Sequence, residues 1–445
     1  MDRNNTFALG FWNYARLGAI GNNPVKDWAE AGMNLCHSPH FIPGEDDPAA
    51  MRALLDECAE NGIRLIMDDP RCHWTGALSD PDGYRTRFCR MLDEFGRHPA
   101  VCGFYVGDEP WAAQMEEAKE AIRLQREIIP EKIPFINFNP YYAHIGNIEE
   151  HLGASDFDEW ADRFIGESGL QQLSYDHYLQ MNPQDPAESG IDSYYSSLKH
   201  FMDAAKRNGV PLWVTNLSVG HFRYRCPNED DLRWQLSTSA ACGAKCVWWF
   251  FFYMRVVRIN YRLAPIDEHG HRTETYERLA RVQNTFQKQF GALFARLIHD
   301  ETFHTGKAYG GYPLLGEGTH PVVGRVTCEH GLPGVLSLFH MPDGTKYMVL
   351  VNNSLTESGY FHTFLTPRVK EMYRVCFDMQ DTAKRPDGTY VSPYLFTRTP
   401  WGGVEVNCAR NDVCNGFSIA ENGTVHNAAW LAPGQMEAWR LVTEE

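Results

Sequence analysis

The chain has 445 residues, 43% hydrophobic and 22% charged, the balance of a globular protein long enough for two or three domains and a large core. Its formal net charge is −16, and no basic patch is interleaved with aromatics, which argues against nucleic acid and anionic membranes as partners. No charged segment leads into an apolar signal-like stretch and no apolar run is long enough to span a bilayer, so a cytoplasmic protein is expected.

The N-terminus enters folded-looking sequence almost at once, at Phe7-Ala8-Leu9-Gly10-Phe11-Trp12. From there to about residue 297, short apolar runs alternate with amphipathic stretches. Strand candidates begin at Phe7, Asn34, Arg64, Val101, Ile133, Gln172, Pro211 and Cys246, eight in all. Helical spacing of apolar residues covers Pro48 to Asn61, Tyr84 to Phe95, Ala112 to Ile129, Ile191 to Asn208 and Glu229 to Ala241. Gly32, Gly62, Gly209 and Gly243 stand between a helix and the next strand, as left-handed caps feeding parallel strands do. This alternation predicts an α/β fold, a (β/α)8 TIM barrel over residues 1–298. A doubly wound sheet competes, but Gly18 to Gly21 is too sparse for a phosphate loop after the first strand.

Beyond residue 300 the pattern changes. Val335 to Met341 and Tyr347 to Val351 are short strands joined by Pro342-Asp343-Gly344, a hairpin signal. Further strands are expected at Tyr373 to Phe377, Gly403 to Val406 and Met436 to Leu441. Residues 299–445 therefore read as a C-terminal antiparallel β-sandwich that supports the barrel or carries a protomer contact, making a homo-oligomer conceivable. The 12 cysteines lack regular spacing. Cys72 and Cys102 lie in or beside apolar runs and Cys242 and Cys246 flank another, which suits buried reduced thiols better than a disulfide framework or zinc site.

The ends of the strands carry the chemistry. The first presents Trp12, Asn13 and Tyr14 with Arg16 beyond, the second His37 and His40, and the third Asp68, Asp69, Arg71, His73 and Trp74. The fourth gives Asp108 and Glu109, the fifth Asn137 and Asn139, and the sixth Ser174 to Tyr178 with Asp176 among them. The seventh ends in Asn216 and His221, and the eighth in Trp248 and Trp249 with Tyr253. Carboxylates and amides for hydroxyls, with indoles for sugar faces, make a carbohydrate-type site. Asp68 and Asp69 are equally suited to pairing with Arg64 or Arg71. His37 and His40 suit structural roles, and no His-x-His stands on the first strand, so neither a metal nor a cofactor is expected. Alternation sends one of Trp248 and Trp249 inward and the other onto helices.

The sharpest signal is Gly107-Asp108-Glu109-Pro110, an acidic pair where the apolar run Val101 to Val106 ends. One reading makes the pair a cap for the helix beginning near Ala112. The other puts it on the rim of the sheet, where α/β folds bind substrates. Adjacent strand residues point to opposite faces, so both enter one pocket only if the backbone bends, which Gly107 and Pro110 permit. Two close carboxylates would also keep a proton on one of them near neutral pH.

The motif and its place on the fourth strand resemble the TIM-barrel (clan A-like) glycoside hydrolases, which keep their general acid/base there. Retaining members usually hold a second Glu on the seventh strand, whereas Pro211 to Gly220 contains no carboxylate. Asp176 is one substitute, as nucleophile or as base for a water. Alternatively a 2-acetamido substrate supplies its own nucleophile. In that respect the adjacent Asp-Glu pair followed by Pro is similar to the substrate-assisted β-N-acetylhexosaminidase and β-N-acetylgalactosaminidase families. That resemblance implies Asp108 as the group polarising the acetamido N–H, Glu109 as acid/base, and a rim tyrosine (Tyr175 or Tyr178) on the acetamido oxygen.

The expected activity is removal of a terminal β-linked GalNAc or GlcNAc from an oligosaccharide or glycoconjugate, with retention. Asn13, His73, Trp74, Asn139, Tyr175, Asp176, Asn216 and Trp248 are the expected substrate-binding residues. The alternatives are a β-galactosidase-like hydrolase pairing Glu109 with Asp176, and a catalytically silent carbohydrate-binding barrel.

Overall fold

The computed structural model describes residues 6–21, 23–141, 151–183, 187–255, 260–376 and 424–444, with short strands at 383–384, 390–391, 396–398, 404–406 and 415–419. The chain divides into two compact units. The first comprises chiefly residues 8–227 and 244–283, and the second residues 5–7, 228–243 and 284–445.

The first unit is built on parallel strands β1 (Ala8–Phe11), β2 (Leu35–His37), β3 (Arg64–Met67), β4 (Val101–Asp108), β5 (Ile133–Asn137), β6 (Leu173–Asp176), β7 (Leu212–Leu217) and β8 (Cys246–Phe250). They form two four-stranded sheets, in the orders β1-β8-β7-β6 and β2-β3-β4-β5. The two sheets also touch at both ends. Asn34 N–H donates to Leu9 O at 2.9 Å while Leu9 N–H donates to Asn34 Oδ1 at 2.8 Å. At the other end Phe138 N–H donates to Ser174 O at 2.9 Å. Gly10 permits the first approach, because a Cβ there would lie 1.7 Å from Leu35 O.

Buried on both faces, these strands read as continuous apolar runs, which is why they were legible. Each begins within one residue of its expected start. One face of the sheets contributes Trp12, Leu35, Ile66, Phe135, Trp213 and Trp248 to a shared core. The other packs on helices, three of which start on side-chain caps. Asp47 accepts from Ala49 N–H, Asp80 from Gly83 N–H and Asp156 from Glu159 N–H. The four inter-element glycines have positive φ between +65° and +101°. Helices Pro24–Glu30, Phe157–Ser168 and Glu274–Phe286 were not anticipated from spacing.

The second unit is mostly antiparallel, with a four-stranded and a nine-stranded sheet among the described residues. Gly334–His340 and Lys346–Asn352 pair antiparallel, and Met341 N–H donates to Thr345 O at 2.8 Å across the turn. Leu336, Leu350, Phe361 and Trp439 belong to one core fed by both sheets, the packing of a sandwich. Helix Glu229–Ala241 belongs to this unit, and its Trp234 Nε1–H donates to Asn353 Oδ1 at 2.9 Å. Cys72, Cys242 and Cys246 are buried free thiols and Cys102 a half-buried one. No helix among the described residues is long and apolar enough to cross a membrane.

Candidate active site

The end of β4 is bent by a bulge. Tyr105 faces Phe135 on β5 but Gly107 faces Ile136, so Val106 is the extra residue. Gly107 cannot be larger, because a Cβ would lie 2.1 Å from the Trp74 ring that packs over it. Asp108 remains paired with Asn137, and Glu109 adopts φ +45° while its N–H donates to Asn137 O at 2.9 Å. A left-handed glutamate costs about 1 kcal/mol, and here it leaves two consecutive carboxylates close enough to act on each other's charge. Neither caps the next helix, Ala112–Ile128. Its N-cap position is Trp111, whose N–H donates to Gln114 Oε1 at 2.8 Å.

A third carboxylate, Asp176 at the end of β6, completes the cluster. Asn137 Nδ2 donates to Asp176 Oδ1 at 2.8 Å and to Asp108 Oδ1 at 3.2 Å, while Ser174 Oγ–H fixes the amide by donating to Asn137 Oδ1 at 3.1 Å. Asp176 also accepts hydrogen bonds from Tyr178 and Glu109. Burial and the charges of Asp176 and Asp108 push Glu109 up to about 9, so it carries the proton. Burial and the charge of Asp176 raise Asp108 to about 7. Burial raises Asp176 too, but the three donors hold it to about 6, the most acidic of the trio. At neutral pH the cluster is a protonated Glu109 donating to an ionised Asp176, with Asp108 near its midpoint.

Next to it lies a cavity of about 270 Å3 lined by residues that include Trp12, Tyr14, His37, Asp68, Tyr105 and Arg255. Tyr14 and Tyr105 belong to both regions, since the charge of Asp108 helps burial to raise both phenols. The Arg255 guanidinium sits 3.7 Å over the Tyr14 ring. Asp68 is 3.1 Å from His40 Nδ1 and 3.3 Å from His73 Nε2. Burial works against its charge, but hydrogen bonds from those imidazoles outweigh it and hold Asp68 well below the usual carboxylate range. Asp69 instead binds Arg71, at 2.7 Å.

The expected binding residues divide into two groups. Asp176, His73 and Asn13 lie at the trio or the cavity, and Trp74 supports the bulge. Asn13 spends its side chain on Ser38 O at 3.2 Å and on Ala15 N–H at 2.8 Å, which fixes the loop bearing Tyr14. Asn139 is half-buried beyond β5, and Asn216 is buried on β7 beside Trp249. Tyr175 points away from the trio, its ring stacked 4.2 Å from Phe201 on helix Ala187–Asn208. With Asp176 directed inward, alternation sends Tyr175 outward, and Tyr178 is the tyrosine that reaches the trio. Trp248 does face inward, but it is 2% exposed among Phe135, Trp213 and His37, which leaves no face for a sugar. Trp249 is the outward member, its Nε1–H donating to Gln283 Oε1 at 3.1 Å.

Asn137, Tyr105 and Arg255 were passed over as site residues. Asn137 stood beside Asn139 at a strand end, and its pairing with Asp108 is what selects it. Tyr105 looked like an interior strand residue, and Arg255 lies in irregular chain five positions beyond the end of β8.

No protein-family sequence pattern matches this chain and no curated protein sequence matches it. Solved structures do match in fold. A protein described as a glycoside hydrolase superposes with a TM-score of 0.50 at 12% identity, covering 98% of this chain and 93% of that one. A glycoside hydrolase family 5 structure from Bacteroides vulgatus gives 0.49 at 11% identity, covering 96% and 90%. A β-galactosidase from the psychrophilic Marinomonas ef1 gives 0.47 at 12% identity, covering 63% of this chain and 60% of its own. This chain therefore spans about 60% of the length of that β-galactosidase. At such identities the likeness is one of fold, and the first match extends it to nearly the whole chain.

Proposed function

We propose that the protein is a retaining glycoside hydrolase acting on a terminal β-linked 2-acetamido sugar, GalNAc or GlcNAc, by substrate assistance. The two parallel sheets are read as halves of one (β/α)8 barrel, on the strength of the hydrogen bonds at both of their junctions. The proposal rests on one arrangement above others: Glu109 hydrogen-bonds Asp176 while Asp108 stands next to it on the same bent strand end.

Glu109 donates its proton to the departing glycosidic oxygen and takes one back from water in the second step. Asp108, when ionised, accepts the acetamido N–H and orients its carbonyl oxygen toward the anomeric carbon. Asn137 holds that carboxylate in place. Strand β7, Leu212–Leu217, has no acid to serve as nucleophile. Glu109 and Asp176 are in hydrogen-bond contact, whereas an acid and a nucleophile flanking a sugar stand about 5–5.5 Å apart.

A second reading is favoured by the donors that keep Asp176 ionised, the state a nucleophile needs. Aryl glycosides separate the two. Hydrolysis of the 2-acetamido substrate but not its 2-hydroxy analogue is expected, and the reverse preference sinks substrate assistance. Glu109→Gln should lower kcat/KM by about 10²–10⁴-fold. Asp176→Asn should leave measurable turnover and move the alkaline limb of the pH profile downward, because a charge that raises Glu109 is gone. Complete loss of turnover with intact folding favours Asp176 as nucleophile. A parent protein that binds sugars but turns over none would be a binding module.

A further inference from the structure

The cavity beside the trio is walled by hydrogen-bond donors. Arg255 donates only, and no carboxylate is paired with it among the described residues. His37 accepts the Asn13 N–H on Nδ1 at 3.3 Å, and burial pulls its pKa down to about 4. The imidazole is therefore neutral with its proton on Nε2, and that buried Nε2–H has no partner among the described residues. The buried Nε1–H of Trp12 has none either. Tyr14 and Tyr105 stay protonated. The cavity's carboxylate, Asp68, is already engaged on both oxygens by His40 and His73.

A sugar hydroxyl would satisfy one of these donors but bring a proton of its own and leave the charge of Arg255 unmatched. A group that only accepts, and carries negative charge for Arg255, satisfies the wall without adding a donor. At about 270 Å3 the cavity is near the lower end of small-ligand sites, roughly 300 Å3.

We propose that the cavity receives an anionic oxygen group on the sugar substrate, a uronic carboxylate or a sulfate ester, with Arg255 as the residue that selects it and the His37 and Trp12 N–H groups completing its hydrogen bonds. This rests on the glycosidase reading for the identity of the ligand as a sugar, but not for the cationic Arg255 in the cavity wall.

Calorimetric titration tests it with matched pairs: N-acetylgalactosamine against its 6-sulfate, and galactose against galacturonate. At least one anionic member should bind about tenfold to a hundredfold more tightly than its neutral partner. Whichever pair shows the preference fixes the source of the charge. Arg255→Gln should reduce that ratio toward one, Arg255→Lys should keep part of it, and Trp12→Phe, which keeps an aromatic ring but loses the N–H, should lower it several-fold. Melting curves of the variants guard against misfolding. Equal binding within both pairs, a preference that survives Arg255→Gln, or no binding of any of the four at millimolar concentration overturns the proposal. An anionic preference in a protein that cleaves no glycoside overturns the enzymatic reading and leaves the cavity assignment standing.

Discussion

Asn137 is the residue on which the site's charge state turns. Its amide serves Asp108 and Asp176 together, at 3.2 and 2.8 Å, and so favours the ionised form of both. Replacing it with Leu removes that donor, so both acids should hold protons to higher pH. In the proposed mechanism kcat/KM rises as Asp108 ionises near 7 and falls as Glu109 loses its proton near 9. The limbs belong to the coupled trio rather than to single groups. Asn137→Leu should move the acidic limb upward and lower the maximum, which a pH profile with an aryl glycoside measures; an unmoved limb removes Asn137 from the electrostatics. The acidic pair itself was legible in sequence, because it ends the fourth apolar run, on the rim where α/β folds bind substrates. Asn137 was harder to select, since the register that pairs it with Asp108 exists only after folding. Arg255 was invisible for the same reason, being brought in by irregular chain with no periodicity to read.

Among the elements, β4 carries the design. A regular strand would send Asp108 and Glu109 to opposite faces, and the slip at Val106 with the left-handed turn at Glu109 prevents that. Gly107 lets the Trp74 ring lie over the slip, since a Cβ there would collide with that ring. Gly107→Ala should therefore cost about 1–3 kcal/mol of stability through overpacking, and should depress turnover further by displacing Glu109. In a double-mutant cycle, Gly107→Ala should cost less in a Trp74→Ala background than in the parent, because the clash is with that ring; an unchanged cost places the strain elsewhere. Strand positions were readable from their continuous apolar runs, and the hairpin after Gly334 from Pro-Asp-Gly. The bulge was only permitted by the sequence, through Gly107 and Pro110. Helix Phe157–Ser168 went unread although it buries Phe157, Trp160, Phe164 and Ile165 at helical spacing, because its Asp156 cap and Gly169 stop are ordinary loop residues out of context.

At the scale of the whole molecule, the trio and Asp68 give the first unit two opposed responses to pH. Asp108, Glu109 and Asp176 have folded-state values raised to about 7, 9 and 6. A raised carboxyl contributes stability fully present below its unfolded value, near 4, and lost as pH climbs through the folded value. The molecule therefore surrenders stability between about pH 4 and 9 to keep a proton ready. Asp68 is lowered instead, so its contribution is present above about 4 and disappears on acidification. Asp108→Asn keeps an oxygen for the Asn137 amide but cannot ionise. Its melting temperature should match the parent's near pH 4 and exceed it by a few degrees at pH 8, with the gap opening up to about pH 7. Asp68→Asn should behave oppositely, most destabilised at neutral pH and closest to the parent in acid. Melting curves at four or five pH values decide both. A constant offset between Asp108→Asn and the parent would mean that Asp108 titrates normally in the folded chain, and the poised acid pair would have lost its physical basis.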